Sequence, residues 1–195
     1  MSRDSDPNTV LFAERFAAVA HAGQVRKYTG RPYIEHPMRV AHAAVMHEAP
    51  PWVVAAAWMH DVIEDCGRTA DDVLAATQSP GALSLVVELT NPSKKYPAAS
   101  RADKKAMDRV HLAGVSYWAK VLKLLDRTDN INDMQACPDG KFIALYIAES
   151  RALAAVLVPP AALTEESITL TGLTAALLGS INNLEDHARA AGKLA

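Results

Sequence analysis

Apolar and polar positions along this chain follow a helical period almost throughout, and almost nothing alternates with period two. Over 9–23, Leu11, Phe12, Ala13, Phe16, Val19 and Ala20 form one broad stripe and predict a first helix. The stretch from Gly23 to Pro37, with its glycines, prolines and charges, reads as a loop. A second helix is expected over about 37–48. Pro50 and Pro51 open a third, which runs through VVAAAWMHDVIED and stops at Gly67, with proline at the start and glycine past the end as punctuation.

Further along, Thr69 to Asp72 resembles a capping box for a short helix near 70–77. Ser79-Pro80 starts another that reaches about Thr90, and the polar stretch 91–100 is an expected loop. Helices near 101–113 and 115–133 follow, the second with Val115, Trp118, Leu122 and Leu125 at helical spacing. Another is expected near 139–157. A last one begins at Thr164-Glu165-Glu166, with Gly172 and Gly179 as candidate interruptions, and Pro159 and Pro160 break the alanine-rich run before it. The fold class is therefore all-α, a compact multi-helix bundle. No internal repeat is present.

Composition agrees with this. Half of the 195 residues are apolar but only 6% are aromatic, which suits packed helices better than a sandwich or barrel. The formal charge of −2 argues against a broad basic face for duplex nucleic acid. Cys66 and Cys137 cannot make a disulfide framework, and the polar start carries no signal peptide, so a cytoplasmic protein is expected. No apolar run approaches the roughly 18 residues of a membrane span. The sequence is compatible with a homo-oligomer.

Chemistry concentrates in three places. The third helix is apolar around its circumference from Val53 to Met59 and then ends in His60-Asp61-Val62-Ile63-Glu64-Asp65. On a continuous helix His60 would share a face with Glu64, and Asp61 with Asp65. Three carboxylates would then face the negative end of the helix dipole, a cost that a divalent cation offsets. An acidic turn by itself is ordinarily a solvated one; directly after a buried helix, the His-Asp pair favours the metal reading. Upstream, Pro32-Tyr33-Ile34-Glu35-His36-Pro37 holds a histidine between a restrictive loop and a helix start. Downstream, Lys123 to Asn130 places Asp126 at the margin of a buried stripe, with a surface pairing to Lys123 or Arg127 as the plainer reading. Together, His36, His60, Asp61 and Asp126 offer two imidazoles and two carboxylates, a mixed set that suits Mn²⁺, Fe²⁺, Zn²⁺ or Co²⁺.

Three longer strings, AHAGQVRKYTGRPYIEHPMRVA (20–41), AAAWMHDVIEDCG (55–67) and AKVLKLLDRTDNIND (119–133), resemble the HD superfamily. Within it they are most similar to the guanosine-polyphosphate branch: the hydrolase domain of RelA/SpoT-type enzymes and the free-standing small alarmone hydrolases. The resemblance implies that His36, His60, Asp61 and Asp126 are metal ligands, with Mn²⁺ as the usual ion. It implies that Glu64 and Asp65 position and deprotonate the attacking water, that Arg26 and Lys27 contact the nucleotide, and that Asn130 lines its pocket. The implied reaction is hydrolysis of the 3′-pyrophosphate of ppGpp or pppGpp. It also implies an HD domain over 1–150, a C-terminal helical extension over 151–195 on the same domain or a partner subunit, and a hydrolase-only enzyme.

Departures from the family lie in substrate recognition. After Thr90 the chain reads Asn-Pro-Ser-Lys-Lys-Tyr-Pro where an acidic pair is usual, Tyr28-Thr29-Gly30 replaces a loop that often begins with Asp, and Tyr146 lacks the Arg that usually precedes it. An HD phosphohydrolase for another nucleotide is therefore the alternative, and a non-catalytic nucleotide sensor a more distant one. His42, His47, His111 and His187 are expected to be packing or surface residues. Cys66 is expected to be a small buried filler, and Trp52, Trp58 and Trp118 core. Lys94, Lys95, Lys104 and Lys105 form a basic stretch that either meets phosphates or is solvated.

Overall fold

The computed structural model describes residues 3–158 and 164–194. They are all-α: among them there is no strand, and one isolated antiparallel bridge joins Val25 to Pro32. The interruption expected at Pro159 and Pro160 lies outside the described residues. The chain divides into two compact units. One runs up to Arg26 and resumes over Arg31–Ala99; the other takes Lys27–Gly30 and the chain from Ser100 onward.

The first unit is built on α3 (Pro51–Met59), which packs against α1 (Asn8–Ala20), α2 (Glu35–Met46) and α6 (Pro80–Leu89). Val53, Val54, Ala55, Ala56, Ala57 and Met59 of α3 are all buried, so this helix has no solvent face over most of its length. Its small side chains let α1 approach closely. The buried line on α1 is accordingly Thr9, Ala13 and Ala17, whereas Leu11 and Val19 of the expected stripe are exposed. Trp52 and Trp58 are half-buried rather than core, because the α3 positions that meet neighbouring helices hold Ala and Val.

The expected third helix is two. It ends at Met59, and α4 (Val62–Cys66) begins after Asp61, its N-cap. In the last turn of α3, Ala57's carbonyl accepts from His60 Nδ1 at 2.7 Å. Glu64 and Asp65 therefore sit in the first turn of α4, not in the last turn of a long helix. The dipole conflict expected from the sequence does not arise. Gly67 ends α4 at φ +63°, a left-handed position that glycine adopts without steric cost.

The rest of the unit follows its local signals. Thr69 and Asp72 make the capping box of α5 (Ala70–Thr77), and Ser79 caps α6, with Pro80 at its first turn. The loop after α6 contains a short 3₁₀ turn over Pro92–Lys95.

The second unit holds α7 (Arg101–Ala113), α8 (Tyr117–Asp133), α9 (Gly140–Leu157) and α10 (Glu165–Ala190). α10 packs on α8 and α9 and runs unbroken through Gly172 and Gly179. Trp118 is half-buried; Ala119, Val121, Leu122, Leu124 and Leu125 form the buried face of α8. No helix is long and apolar enough to cross a membrane, among the described residues.

Candidate metal centre

His36 enters at the start of α2, and His60 and Asp61 occupy the joint between α3 and α4. The two imidazoles are buried. Their Nε2 atoms lie 3.2 Å apart, and Asp61 Oδ2 lies 3.2 Å from His60 Nε2 and 3.5 Å from His36 Nε2. Three donor atoms from one unit thus form a nearly equilateral triangle.

The tautomer of His60 decides what that triangle can hold. A carbonyl only accepts, so Nδ1 carries the proton donated to Ala57, and in the neutral ring Nε2 then keeps its lone pair. This lone pair faces an Asp61 oxygen that, when ionised, is also only an acceptor. An imidazole–imidazole hydrogen bond would satisfy the His36–His60 edge but not the His60–Asp61 edge; a cation satisfies both. Metal–ligand bonds of about 2.0–2.2 Å put neighbouring donors about 3.0–3.6 Å apart, as these are. A divalent metal fits the residues present, and the carbonyl behind His60 is the usual support for a ligating histidine.

The acidic pair lies one helical turn further on. Glu64 accepts the backbone N–H of Asn91 through Oε1 and has the Lys94 ammonium 3.5 Å from Oε2. Asp65 has the same ammonium 3.5 Å from Oδ1. Burial opposes the charge on Lys94, but Glu64 and Asp65 outweigh it and hold the ammonium above the usual lysine range. The basic stretch anticipated over Lys94, Lys95, Lys104 and Lys105 is divided between the units, and Lys94 is the member that meets the acids.

Two residues here escaped sequence reasoning. Tyr33 donates its hydroxyl toward Asp61 Oδ2 at 2.7 Å and Asp65 Oδ2 at 3.0 Å. Burial, with those two carboxylates beside it, pushes the phenol far above its ordinary range, so it stays a donor. His21 is buried and stacks on the Tyr33 ring with centroids 4.8 Å apart. Its Nδ1 meets Gln24 Oε1 at 2.8 Å and Cys66 Sγ at 3.2 Å. Cys66 is therefore half-buried beside a histidine, not a plain filler, and burial with Asp65 and Asp61 nearby pushes its thiol up. Both residues lay in the quoted strings, but their contacts span 28 to 45 residues of chain, beyond what spacing reveals.

Arg26 lies in the first unit, its guanidinium 5.2 Å from the Tyr33 ring centroid. Lys27 belongs to the second, with its ammonium over Tyr28 and Phe142. Also in the second unit, Asp126 is buried, with Lys123 Nζ 2.8 Å from Oδ2, and Asn130 donates to its other oxygen. The pairing with Lys123 that the sequence allowed is present, but inside α8's margin rather than on the surface. Arg127 turns away to Ser150 and the Tyr146 ring. His42, His47 and His187 are exposed and His111 half-buried.

Known proteins are similar to this chain. The MESH1 guanosine-3′,5′-bis(diphosphate) 3′-pyrophosphohydrolase of Xenopus tropicalis is 33% identical over 142 residues, 70% of this chain and 75% of that protein. Its Homo sapiens counterpart is 34% identical over 141 residues, with the same shares. A solved structure described as a metazoan ortholog of SpoT that hydrolyzes ppGpp aligns with a TM-score of 0.70 at 25% identity, over 86% of this chain and 94% of its own. A family model described as HD domain matches residues 13–153, a span that takes in the His36, His60-Asp61 and Asp126 segments alike, and the chain belongs to that HD-domain family.

Proposed function

We propose that this protein is a metal-dependent phosphohydrolase that removes the 3′-pyrophosphate of ppGpp or pppGpp, releasing GDP or GTP and pyrophosphate. The observation that carries the chemistry is the His36–His60–Asp61 triangle, whose donor atoms lie 3.2–3.5 Å apart, the spacing of neighbouring ligands on one cation. The substrate rests on the relatives named for this reaction. Asp126 is the proposed fourth ligand, on the resemblance of its string, and Mn²⁺ the proposed ion. A divalent ion held there would lower the pKa of water and polarise a phosphoryl oxygen.

The chain's own groups divide the remaining work. Glu64 and Asp65 are proposed to orient the attacking water and take its proton. The Asn91 N–H and the Lys94 ammonium fix the direction of the Glu64 carboxylate, while Tyr33 and Lys94 fix that of Asp65. Arg26, beside Tyr33, offers a planar cation for phosphate or base, and Lys27 a point charge. Asn130 is proposed to line the nucleotide pocket. Residues 1–150 are proposed as the HD domain and 151–195 as its helical extension, a division supported by the family match ending at 153. A cytoplasmic location and a role in the stringent response follow as part of the same reading.

The test is incubation of the purified protein with ppGpp and Mn²⁺, alongside Asp61→Ala and a chelator control, with assay of GDP and pyrophosphate. Turnover by the wild type alone is expected; no turnover by a protein shown to bind metal overturns the alarmone substrate. One observation favours a second reading, a related phosphohydrolase for another nucleotide. Lys94, in the segment that departs from the family after Thr90, places its cation on both catalytic acids.

A further inference from the structure

Tyr33 and His36 sit on one short run of backbone. The Tyr33 N–H bonds to the Gln24 carbonyl at 2.9 Å, and the His36 N–H bonds to the Tyr33 carbonyl at 2.9 Å. The loop that delivers the ligand His36 therefore delivers the Tyr33 ring in the same step. That ring has little freedom once delivered. His21 stacks on it at an interplanar angle of 18°, the Arg26 guanidinium lies 5.2 Å from its centroid, and His36 meets it edge-on at 5.9 Å.

The backing is itself tied to α4. His21 is held by Gln24 and Cys66, and the Gln24 side-chain amide donates to the Asp65 carbonyl at 3.1 Å. The phenol oxygen thus has one fixed place, between the N-cap residue of α4 and a carboxylate one turn later. A hydroxyl has a single proton to donate, and two anionic oxygens are aimed at it, at 2.7 and 3.0 Å. The oxygen of Asp61 that it touches is Oδ2, the same atom that forms the third corner of the imidazole triangle.

We propose that Tyr33 is a positioning residue for the reaction: through one hydroxyl it holds the Asp61 carboxylate toward the metal and fixes the Asp65 carboxylate at a set separation from it. This rests on the metal reading above. Tyr33 acts through the two aspartates. Without its proton, two like charges would meet across the gap and each carboxylate would lose one of the bonds that orient it. Outer partners of metal ligands change metal affinity or activity by about 10–100-fold when removed, which sets the size of the expected effect.

The test is Tyr33→Phe in the full chain, which keeps the ring, its stack on His21 and its contact with Arg26. Three quantities are compared with wild type: the helical circular dichroism and melting temperature without metal, the Mn²⁺ dissociation constant by calorimetric titration, and kcat and KM for ppGpp. The expected result is a native spectrum, an Mn²⁺ dissociation constant raised about 10–100-fold, and kcat at saturating Mn²⁺ lowered over a similar range, with KM within about twofold. An Mn²⁺ dissociation constant and kcat within about twofold of wild type overturn the proposal. So does a loss of activity that merely tracks a lower melting temperature while Mn²⁺ affinity stays put.

Should the Phe variant fail to fold, 4-fluorophenylalanine at position 33, nearly as long as tyrosine but with no proton to donate, is read by the same criteria. If wild type binds Mn²⁺ but leaves ppGpp intact, the alarmone substrate fails while the Mn²⁺ comparison still decides on Tyr33. If wild type binds no Mn²⁺, both readings fall.

Discussion

His60 is oriented by Ala57, three residues earlier, whose carbonyl lies 2.7 Å from its Nδ1. The contact puts the proton of a neutral imidazole on Nδ1 and points Nε2 at His36 and Asp61. It also coincides with the end of α3, so the turn that closes the helix is the one that orients the proposed ligand. In the metal-free protein at neutral pH, long-range proton–nitrogen NMR should report His60 with the proton on Nδ1; a proton on Nε2 contradicts this. His60→Ala should weaken Mn²⁺ binding by more than the roughly 100-fold upper range of outer-partner losses, since it removes a proposed ligand outright, and titration measures it.

Lys94 offers a separate check on the acidic pair. Its ammonium is half exposed and 3.5 Å from each of Glu64 and Asp65, so the ion pairs contribute little to folding, less than about 1 kcal/mol in total. Each carboxylate keeps another partner when Lys94 is removed: the Asn91 N–H for Glu64 and the Tyr33 hydroxyl for Asp65. Lys94→Ala should therefore melt within a few degrees of wild type. Its loss should appear in the chemical step, as a kcat for ppGpp lowered by about 3–10-fold with KM within about twofold, because the ammonium orients the two acids. An unchanged kcat would show that the Asn91 N–H and the Tyr33 hydroxyl orient the acids without it.

The packing of α1 distinguishes the structure from what periodicity suggested. Ala13 and Ala17 are fully buried against a helix of valines and alanines, whereas Val19 is 70% exposed. Ala17→Leu should overpack this contact and cost about 1–3 kcal/mol, a fall in melting temperature of roughly 2–12 °C for a chain of this size. Val19→Ser should lie within about 0.5 kcal/mol of wild type. The reverse order of the two melting curves would restore the stripe read from the sequence.

That contrast shows which parts of the fold could be read from residues alone. Helix ends were legible where local chemistry writes them: the Thr69–Asp72 box and Pro80 behind Ser79. The buried face of α1 was not, because apolar periodicity weights large side chains, while close helix approach selects small ones. Gly172 and Gly179 looked like breaks, yet each costs a helix interior only about 1 kcal/mol relative to alanine, and α10 packs along α8 and α9. His60 and Asp61 were legible as candidate ligands because they are adjacent at the end of an apolar run. The Tyr33 and His21 contacts were not, since they arise only when the 21–36 loop folds onto α4.

Gly140 tests a contact that only the folded chain creates. It is the first residue of α9, and a Cβ built on it would run into the backbone carbonyl of Lys193. The obstacle is main chain, so no side-chain rotation relieves it. Lys193 is held there by its own bonds: its N–H reaches the Ala188 carbonyl at 2.8 Å, and its ammonium reaches the Cys137 carbonyl at 2.8 Å. Gly140→Ala gains helix propensity of about 1 kcal/mol in an isolated helix, but here it must push the C-terminal turn away and release that ammonium. The balance should be net destabilising by about 1–3 kcal/mol, read as a lower denaturation midpoint. Deleting the residues after Ala191 in the Gly140→Ala background should recover the propensity gain, because the obstacle is then gone. A Gly140→Ala protein more stable than wild type with its C-terminus intact would show that the terminal turn does not pack on α9.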